Sequence, residues 1–151
     1  MTANAVAAAP AILPMASLKK EADVACVYHC DFNDSSRFQQ MLVNIGNHYS
    51  VYGNPLELQI AIVAHGGGVK FFLETQQSAI WGTETSSPQI IQRISDLAKN
   101  GLMVYLCDIT FERQKIDRET AYKRDFIKFV PSGVASVAAL QSKGFAYIKV
   151  G

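Results

Sequence analysis

The chain is poor in the residues from which disulfide frameworks and metal motifs are built. Among its 151 residues only three are cysteine and three are histidine. An odd, small number of cysteines does not build a disulfide framework and suits a reducing compartment. The sequence also lacks a spaced His and Cys metal set, a Gly-x-Ser-x-Gly elbow and an evident carboxylate pair, which disfavours ordinary hydrolysis. We therefore expect reduced thiols and no metal or organic cofactor.

Excess charge and long apolar runs are lacking as well. The formal net charge is +1, and the Lys and Arg residues are scattered, so nucleic acid and anionic membrane surfaces are unlikely partners. No stretch approaches the roughly 20 apolar residues of a membrane span. No Lys or Arg precedes the first apolar stretch, which disfavours a secretory signal. The sequence predicts a cytoplasmic protein.

Apolar residues make up 49% of the chain, enough for one sizeable core. Residues 1–20 are rich in Ala and contain Pro10 and Pro14, which interrupt helices, so we predict a poorly ordered tail there. Residues 21–151 are predicted to form one domain.

From residue 24 onward, short apolar runs alternate with segments of helical period. This alternation is typical of a parallel sheet covered by helices. The predicted strands are 24–30, 58–64, 102–107, 127–130 and 145–150. Asp34 is predicted to cap the first helix, and Pro88 suits the first position of a later one. The expected fold is a three-layer α/β/α domain with a mainly parallel five-stranded sheet.

Cys107 is the leading candidate for chemistry. It closes a mostly apolar strand, and Asp108, which follows at once, begins a predicted helix. Amides of a helix's first turn favour a thiolate and make the sulfur a better nucleophile. The competing interpretation is a small buried residue that completes a strand.

Other candidate residues follow from the rule that ligands bind beyond the carboxyl ends of parallel strands. Cys30, His65 and Cys107 all lie at such ends. His65 is predicted to hydrogen-bond a sulfur species or to transfer a proton, although a His before glycines often bonds only backbone groups. Gly66, Gly67 and Gly68 could present amides to an anion.

Three further assignments concern residues on or next to the first strand. Cys30 is either a second thiol that exchanges with Cys107 or, as we favour, a packing residue. Cys26 is assigned to the core. His29 and Asp31 face away from Cys30, near the start of the first helix, where capping explains them.

Several segments together resemble the DsrE/DsrF-like family of small sulfur-handling proteins. They are YHCDFNDSSRFQQMLVNIGNHY, IAIVAHGGGVKFFL, GLMVYLCDIT and FVPSGVASVAALQSKGFAYIKV. The most telling features are His29-x-Asp31, the VAHGGG turn and the strand-terminal Cys107. The resemblance covers the chain from about residue 24 to its end.

This resemblance implies the fold given above and assembly into trimers or hexamers. In several branches of the family a cysteine carries sulfur as a persulfide between donor and acceptor proteins, and Cys107 matches that position. The leading hypothesis is a sulfur-relay protein that needs no cofactor. In it Cys107 carries the persulfide and His65 is its proton or hydrogen-bond partner. The predicted binding residues are Gly66, Gly67, Gly68, Cys30 and Asp108. The alternative is a non-catalytic oligomeric module that binds a small ligand or a protein.

Overall fold

A computed structural model of the chain describes residues 11–54, 57–74 and 88–151. Within these ranges, five strands form one sheet in the order β4-β3-β2-β1-β5, and every paired strand runs parallel to its neighbour. The strands are β1 Val24–Cys30, β2 Leu58–Ala64, β3 Met103–Cys107, β4 Ile127–Val130 and β5 Ala146–Lys149. The predicted α/β fold is confirmed.

Four α-helices accompany the sheet in the described ranges: α1 Ser35–Ser50, α2 Pro88–Ala98, α3 Asp108–Gln114 and α4 Gly133–Ser142. Asp34 caps α1 as predicted, because its side chain accepts a hydrogen bond from the amide of Arg37. Ser132 caps α4 in the same way through the amide of Ala135. None of the described helices is long and apolar enough to cross a membrane.

The sheet separates two cores, which correspond to two faces. The first, here the α1 face, is covered by α1, α2 and α3 and receives the even-numbered side chains of β1, β2 and β3. The second, the α4 face, is covered by α4 and receives the odd-numbered side chains of the same strands. Alternation along each strand therefore decides which helix layer a side chain meets.

The segment 11–20 differs from the poorly ordered tail that we expected for residues 1–20. Leu13 donates its amide to the carbonyl of Phe129, and Leu18 is fully buried in the α4-face core. A short 3₁₀ helix, Met15–Ser17, lies between them. Pro14 lies directly before this 3₁₀ helix, and it does not prevent neighbouring apolar side chains from packing on the sheet. Residues 1–10 lie outside the described ranges.

The turn after β2 leads into a 3₁₀ helix, Gly66–Phe72. Gly66 has a φ of +56°, a left-handed conformation that glycine adopts without steric cost. A further 3₁₀ helix, Arg118–Thr120, precedes β4.

Candidate functional site

The register of the sheet brings three strand ends level with one another. Cys30 pairs with Ala64, and Ala64 pairs with Leu106. The next residues along these three chain segments are Asp31, His65 and Cys107. Because all three have odd numbers, continued alternation places them on the α4 face. Cys107 and His65, which were both predicted to lie at the carboxyl ends of strands, are thereby neighbours at one edge of the sheet.

Gly133, the first residue of α4, lies close against both His65 and Cys107. A β carbon at Gly133 would lie 2.8 Å from that of His65 and 3.1 Å from that of Cys107. Both distances are too short for an ordinary contact, so the absent side chain allows α4 to begin directly against the two residues. The amides of a helix's first turn lack intrahelical acceptors. The amino terminus of α4 therefore adds positive potential beside Cys107.

Cys107 is 5% exposed and lines a cleft of about 380 Å³. The other residues that line this cleft are His65, Gly66, Ile109, Thr110, Arg113, Gln114, Ser132 and Val134. Cys107 is thus packed against the protein on most sides but borders an open space. Arg113 is an exposed cation in the same cleft.

Cys107 lies at the N-cap position of α3, directly before the helix as the sequence predicted, and its side chain makes no hydrogen bond to the amides of the first turn. Asp108, the first residue of α3, forms a hydrogen-bonded ion pair with Arg118. That pair offsets a negative charge that would otherwise oppose a thiolate. Arg118 therefore compensates the charge of Asp108. The binding role that we predicted for Asp108 stays a prediction.

A larger cleft, of about 430 Å³, lies at the opposite edge of the sheet. It is lined by residues at the amino-terminal ends of β2 and β3, including Leu58 and Met103, and by Lys19, Glu21 and Tyr105. Ligands of parallel sheets bind at the carboxyl ends of the strands, and the larger cleft has no cysteine or histidine in its lining. We therefore assign the candidate site to the smaller cleft.

Cys30 does not join this site. Its side chain is fully buried on the α1 face, and its thiol donates to the carbonyl of Gly68 at 3.9 Å. Burial, and then the nearby Asp31 charge, raises the pKa of the Cys30 thiol well above its usual range. Cys30 and Cys107 lie on opposite faces of the sheet, and this geometry favours the packing interpretation of Cys30 over thiol exchange between the two.

Two amides of the glycine turn, Gly66–Gly68, are engaged in hydrogen bonds within the protein, which reduces the capacity of the turn to bind anions. The amide of Gly66 donates to the hydroxyl of Thr110 at 3.0 Å, and the amide of Gly68 donates to the carbonyl of His65. A side chain at Gly68 would overlap the carbonyl of Cys30, and one at Gly67 would press on Asn33. Of the three glycines, Gly66 alone lines the cleft.

His29 and Asp31, which we expected to serve as caps, instead gather around His65. The Nε2 atoms of His29 and His65 lie 2.6 Å apart, and the rings are 4.8 Å apart between centroids. One ligand atom from each of the two histidines and one carboxylate oxygen of Asp31 all lie within 4.8 Å of one another. Tyr147 on β5 completes the group, because its hydroxyl lies 2.6 Å from Nδ1 of His29.

The imidazole of His65 is held in its neutral form near pH 7. Burial is the main cause that lowers its pKa, the neighbouring His29 lowers it further, and Asp31 opposes the shift. A neutral ring offers both an N–H donor and a lone pair. His65 can therefore take or give a proton near Cys107, or bind a cation.

The third histidine lies on the other face. His48 accepts or donates a hydrogen bond at 2.9 Å with the hydroxyl of Tyr28, and its Nε2 is 4.0 Å from the sulfur of Cys26. Burial raises the pKa of Cys26 and lowers that of His48, so both neutral forms are favoured. Cys26 is a core residue, as predicted.

Comparison with known proteins agrees with this architecture. A model of the DsrE/DsrF-like family matches residues 15–150, which is most of the chain. The chain belongs to the DsrE/DsrF-like family. No match was found among curated proteins.

Two solved structures resemble this DsrE/DsrF-like chain. The protein of unknown function MTH1491 from Methanobacterium thermoautotrophicum is 24% identical, with a TM-score of 0.67 over 84% of this chain and 99% of that one. The YchN protein from E. coli is 15% identical, with a TM-score of 0.53 over 85% of this chain and 98% of that one. At these identities the likeness concerns the fold.

Proposed function

We propose that this protein is a sulfur-relay protein that carries sulfur as a persulfide on Cys107. The observation that carries the proposal is the position of Cys107, in a DsrE/DsrF-like chain, beside His65 and at the wall of a cleft. His65 offers a proton donor or acceptor, and the amino terminus of α4 favours negative charge on the sulfur.

The transfer needs two displacements and no external oxidant. The Cys107 thiolate attacks the outer sulfur of a donor persulfide, a new S–S bond forms, and the donor's inner sulfur leaves as a thiolate. An acceptor thiolate then attacks the outer sulfur on Cys107, and Cys107 leaves as a thiolate. Each displacement breaks one bond to the transferred sulfur and makes one, so its oxidation state is unchanged.

Donor and acceptor proteins need a surface on which to dock. Ile109 and Val134 border the cleft and are 42% and 66% exposed, which is high for large apolar side chains. Such residues favour contact with another protein. We further propose, from the family resemblance, that the protein assembles into a homotrimer or homohexamer in the cytoplasm, and light scattering on the purified chain tests its mass.

Mass spectrometry tests the persulfide directly. Incubation of the chain with a small persulfide donor is expected to add about 32 Da to the peptide that contains Cys107. Cys107→Ser should lose the adduct, whereas Cys30→Ser and Cys26→Ser should keep it, since these two thiols are buried and their pKa values are raised.

An adduct that persists in Cys107→Ser would overturn the assignment. A folded wild-type chain that stays unmodified would instead favour the non-catalytic binding module. As a cheaper check, a thiol reagent below pH 8 should label Cys107 and leave Cys26 unlabelled.

A further inference from the structure

Three side chains of metal-ligating types lie together beside the proposed sulfur site, and of these only His65 also has a role in that site. His29 lies at the end of β1, Asp31 just beyond that strand, and His65 just beyond β2. Their nearest ligand atoms all lie within 4.8 Å of one another. We propose that His29, Asp31 and His65 form a binding site for a divalent transition-metal ion of the zinc class.

The chemistry of the donor set selects this class of ion. Two imidazole nitrogens and one carboxylate oxygen are the three protein ligands of many open zinc sites, in which water or a substrate takes the fourth position. A set with only one carboxylate suits Mg²⁺ or Ca²⁺ less well, because these ions prefer all-oxygen ligands. The open position would accept water or a small anion.

The geometry needs little change to accommodate such an ion. Zn–N bonds of about 2.0–2.1 Å at a tetrahedral angle place two nitrogens roughly 3.3 Å apart. The Nε2 atoms of His29 and His65 are 2.6 Å apart, so the two rings would have to separate by less than about 1 Å. Both rings are part-exposed and Asp31 is exposed, which gives an ion a path from solvent.

Tyr147 supplies the outer contact that metal-binding histidines usually have. When Nδ1 of His29 donates its hydrogen to the Tyr147 hydroxyl, the lone pair of that ring is on Nε2, the atom that faces His65. The ring is thus held with its free nitrogen turned toward the proposed site. Tyr147 is 40% exposed on the edge strand β5, so the core does not require its hydroxyl there.

Two simpler explanations account for only part of the arrangement. A single hydrogen bond between the two imidazoles explains their contact but not the carboxylate beside them. Helix capping explains neither histidine, because Asp34 already caps α1. Three such donors within 4.8 Å of one another are what a cation site requires.

The test is titration of the metal-stripped full-length chain with zinc alone, read by competition with a chromophoric chelator. The wild type should bind one equivalent. His29→Ala and His65→Ala should each weaken binding by more than about 100-fold, since each removes a ligand. Tyr147→Phe should weaken it by up to about 10-fold, because it removes only an outer contact.

Asp31→Asn tests whether misfolding could explain a loss of zinc binding, because Asp31 is exposed and Asn has nearly the same shape. It should weaken zinc binding by more than about 10-fold while its circular dichroism spectrum stays unchanged. His48→Gln is the matched histidine control, since His48 lies on the other face, and it should bind as the wild type does. Cys107→Ser should also bind zinc normally, although it loses the persulfide.

Cobalt substitution separates this site from zinc bound by a thiolate. The cobalt-loaded chain should show d–d absorption without a sulfur-to-metal charge-transfer band. The proposal fails if the wild type binds no stoichiometric zinc, if Asp31→Asn and both histidine variants bind as the wild type does, or if binding disappears in Cys107→Ser together with a charge-transfer band. The first two outcomes leave the persulfide proposal untouched, because the adduct on Cys107 is measured by mass spectrometry without zinc, and only the third would count against both proposals.

Discussion

Cys30 and Cys107 both end strands of the same sheet, yet their side chains have opposite surroundings. Cys30 faces the α1 side, where it is fully buried beneath the glycine turn. Cys107 faces the α4 side, beside His65 and along a cleft. Position at a strand end therefore does not make a thiol accessible. Side chains alternate between the two faces of the sheet along a strand, and the face to which a thiol points decides whether it is accessible.

The two faces also differ in the size of the side chains that fill them. On the α1 face, Phe38 is fully buried and its ring stacks on Phe71 at 4.1 Å between centroids. The α4 face is filled mainly by smaller aliphatic side chains, among them Val27, Val63 and Leu140. Aromatic packing on the α1 face accompanies the candidate-site cleft on the α4 face, and four comparisons test this contrast.

The largest expected effect is on the α1-face core. Phe38→Ala should lower the free energy of unfolding by about 3–5 kcal/mol, because it removes a buried ring and leaves a cavity. Leu140→Ala, on the α4 face, should cost about 2–4 kcal/mol. Urea denaturation measures both, and an equal or reversed order would contradict the proposed difference between the faces.

The next comparison concerns two glycines. Gly68→Ala should cost about 3 kcal/mol or more, because the new β carbon overlaps the backbone carbonyl of Cys30. Gly133→Ala should cost about 1–2 kcal/mol, because it meets the side chains of His65 and Cys107, and it should also slow persulfide loading. Gly53→Ala, which meets nothing within 4 Å, is the control and should change stability by less than about 0.5 kcal/mol.

A serine replacement at each cysteine compares the thiols themselves. Cys30→Ser should destabilise the protein by about 1–3 kcal/mol, because a hydroxyl replaces a fully buried thiol. Cys107→Ser should cost less than about 1 kcal/mol, since it borders the cleft, but should abolish persulfide formation. Thermal unfolding and mass spectrometry of the two variants separate stability from chemistry. Equal losses of stability in the two variants would show that a hydroxyl is no better tolerated at Cys107, beside the cleft, than at Cys30.

The smallest effect is expected at the helix caps. Asp34→Ala removes the cap of α1, and Ser132→Ala removes that of α4, so each should cost about 1 kcal/mol. Urea denaturation checks this equality. A cost at Ser132 well above that at Asp34 would indicate that Ser132 also stabilises the cleft that it lines.

The strands could be predicted because parallel strands that are buried on both faces appear in the sequence as continuous apolar runs. Val24–Cys30, Leu58–Ala64 and Ile127–Val130 were each predicted with the bounds that the structure has. The cap at Asp34 was likewise local and therefore predictable.

The group formed by His29, Asp31 and His65 was missed, because its members come from two strands that are distant in sequence. A signal was present: His29 and Asp31 were already expected to face away from Cys30, and the same alternation in the next strand puts His65 on that side. What was missing was the register between the strands, which pairs Cys30 with Ala64. Tyr147 needed the further knowledge that β5 lies beside β1.

The sequence by itself determined the order of the strands and of the α-helices between them, and it placed Cys107 at a strand end, since these depend on neighbours along the chain. The tertiary structure alone decided which side chains share a face, that Cys30 is sealed while Cys107 borders a cleft, and that two histidines and a carboxylate meet. Those outcomes depend on strand order and register, which are fixed by packing between residues far apart in the chain.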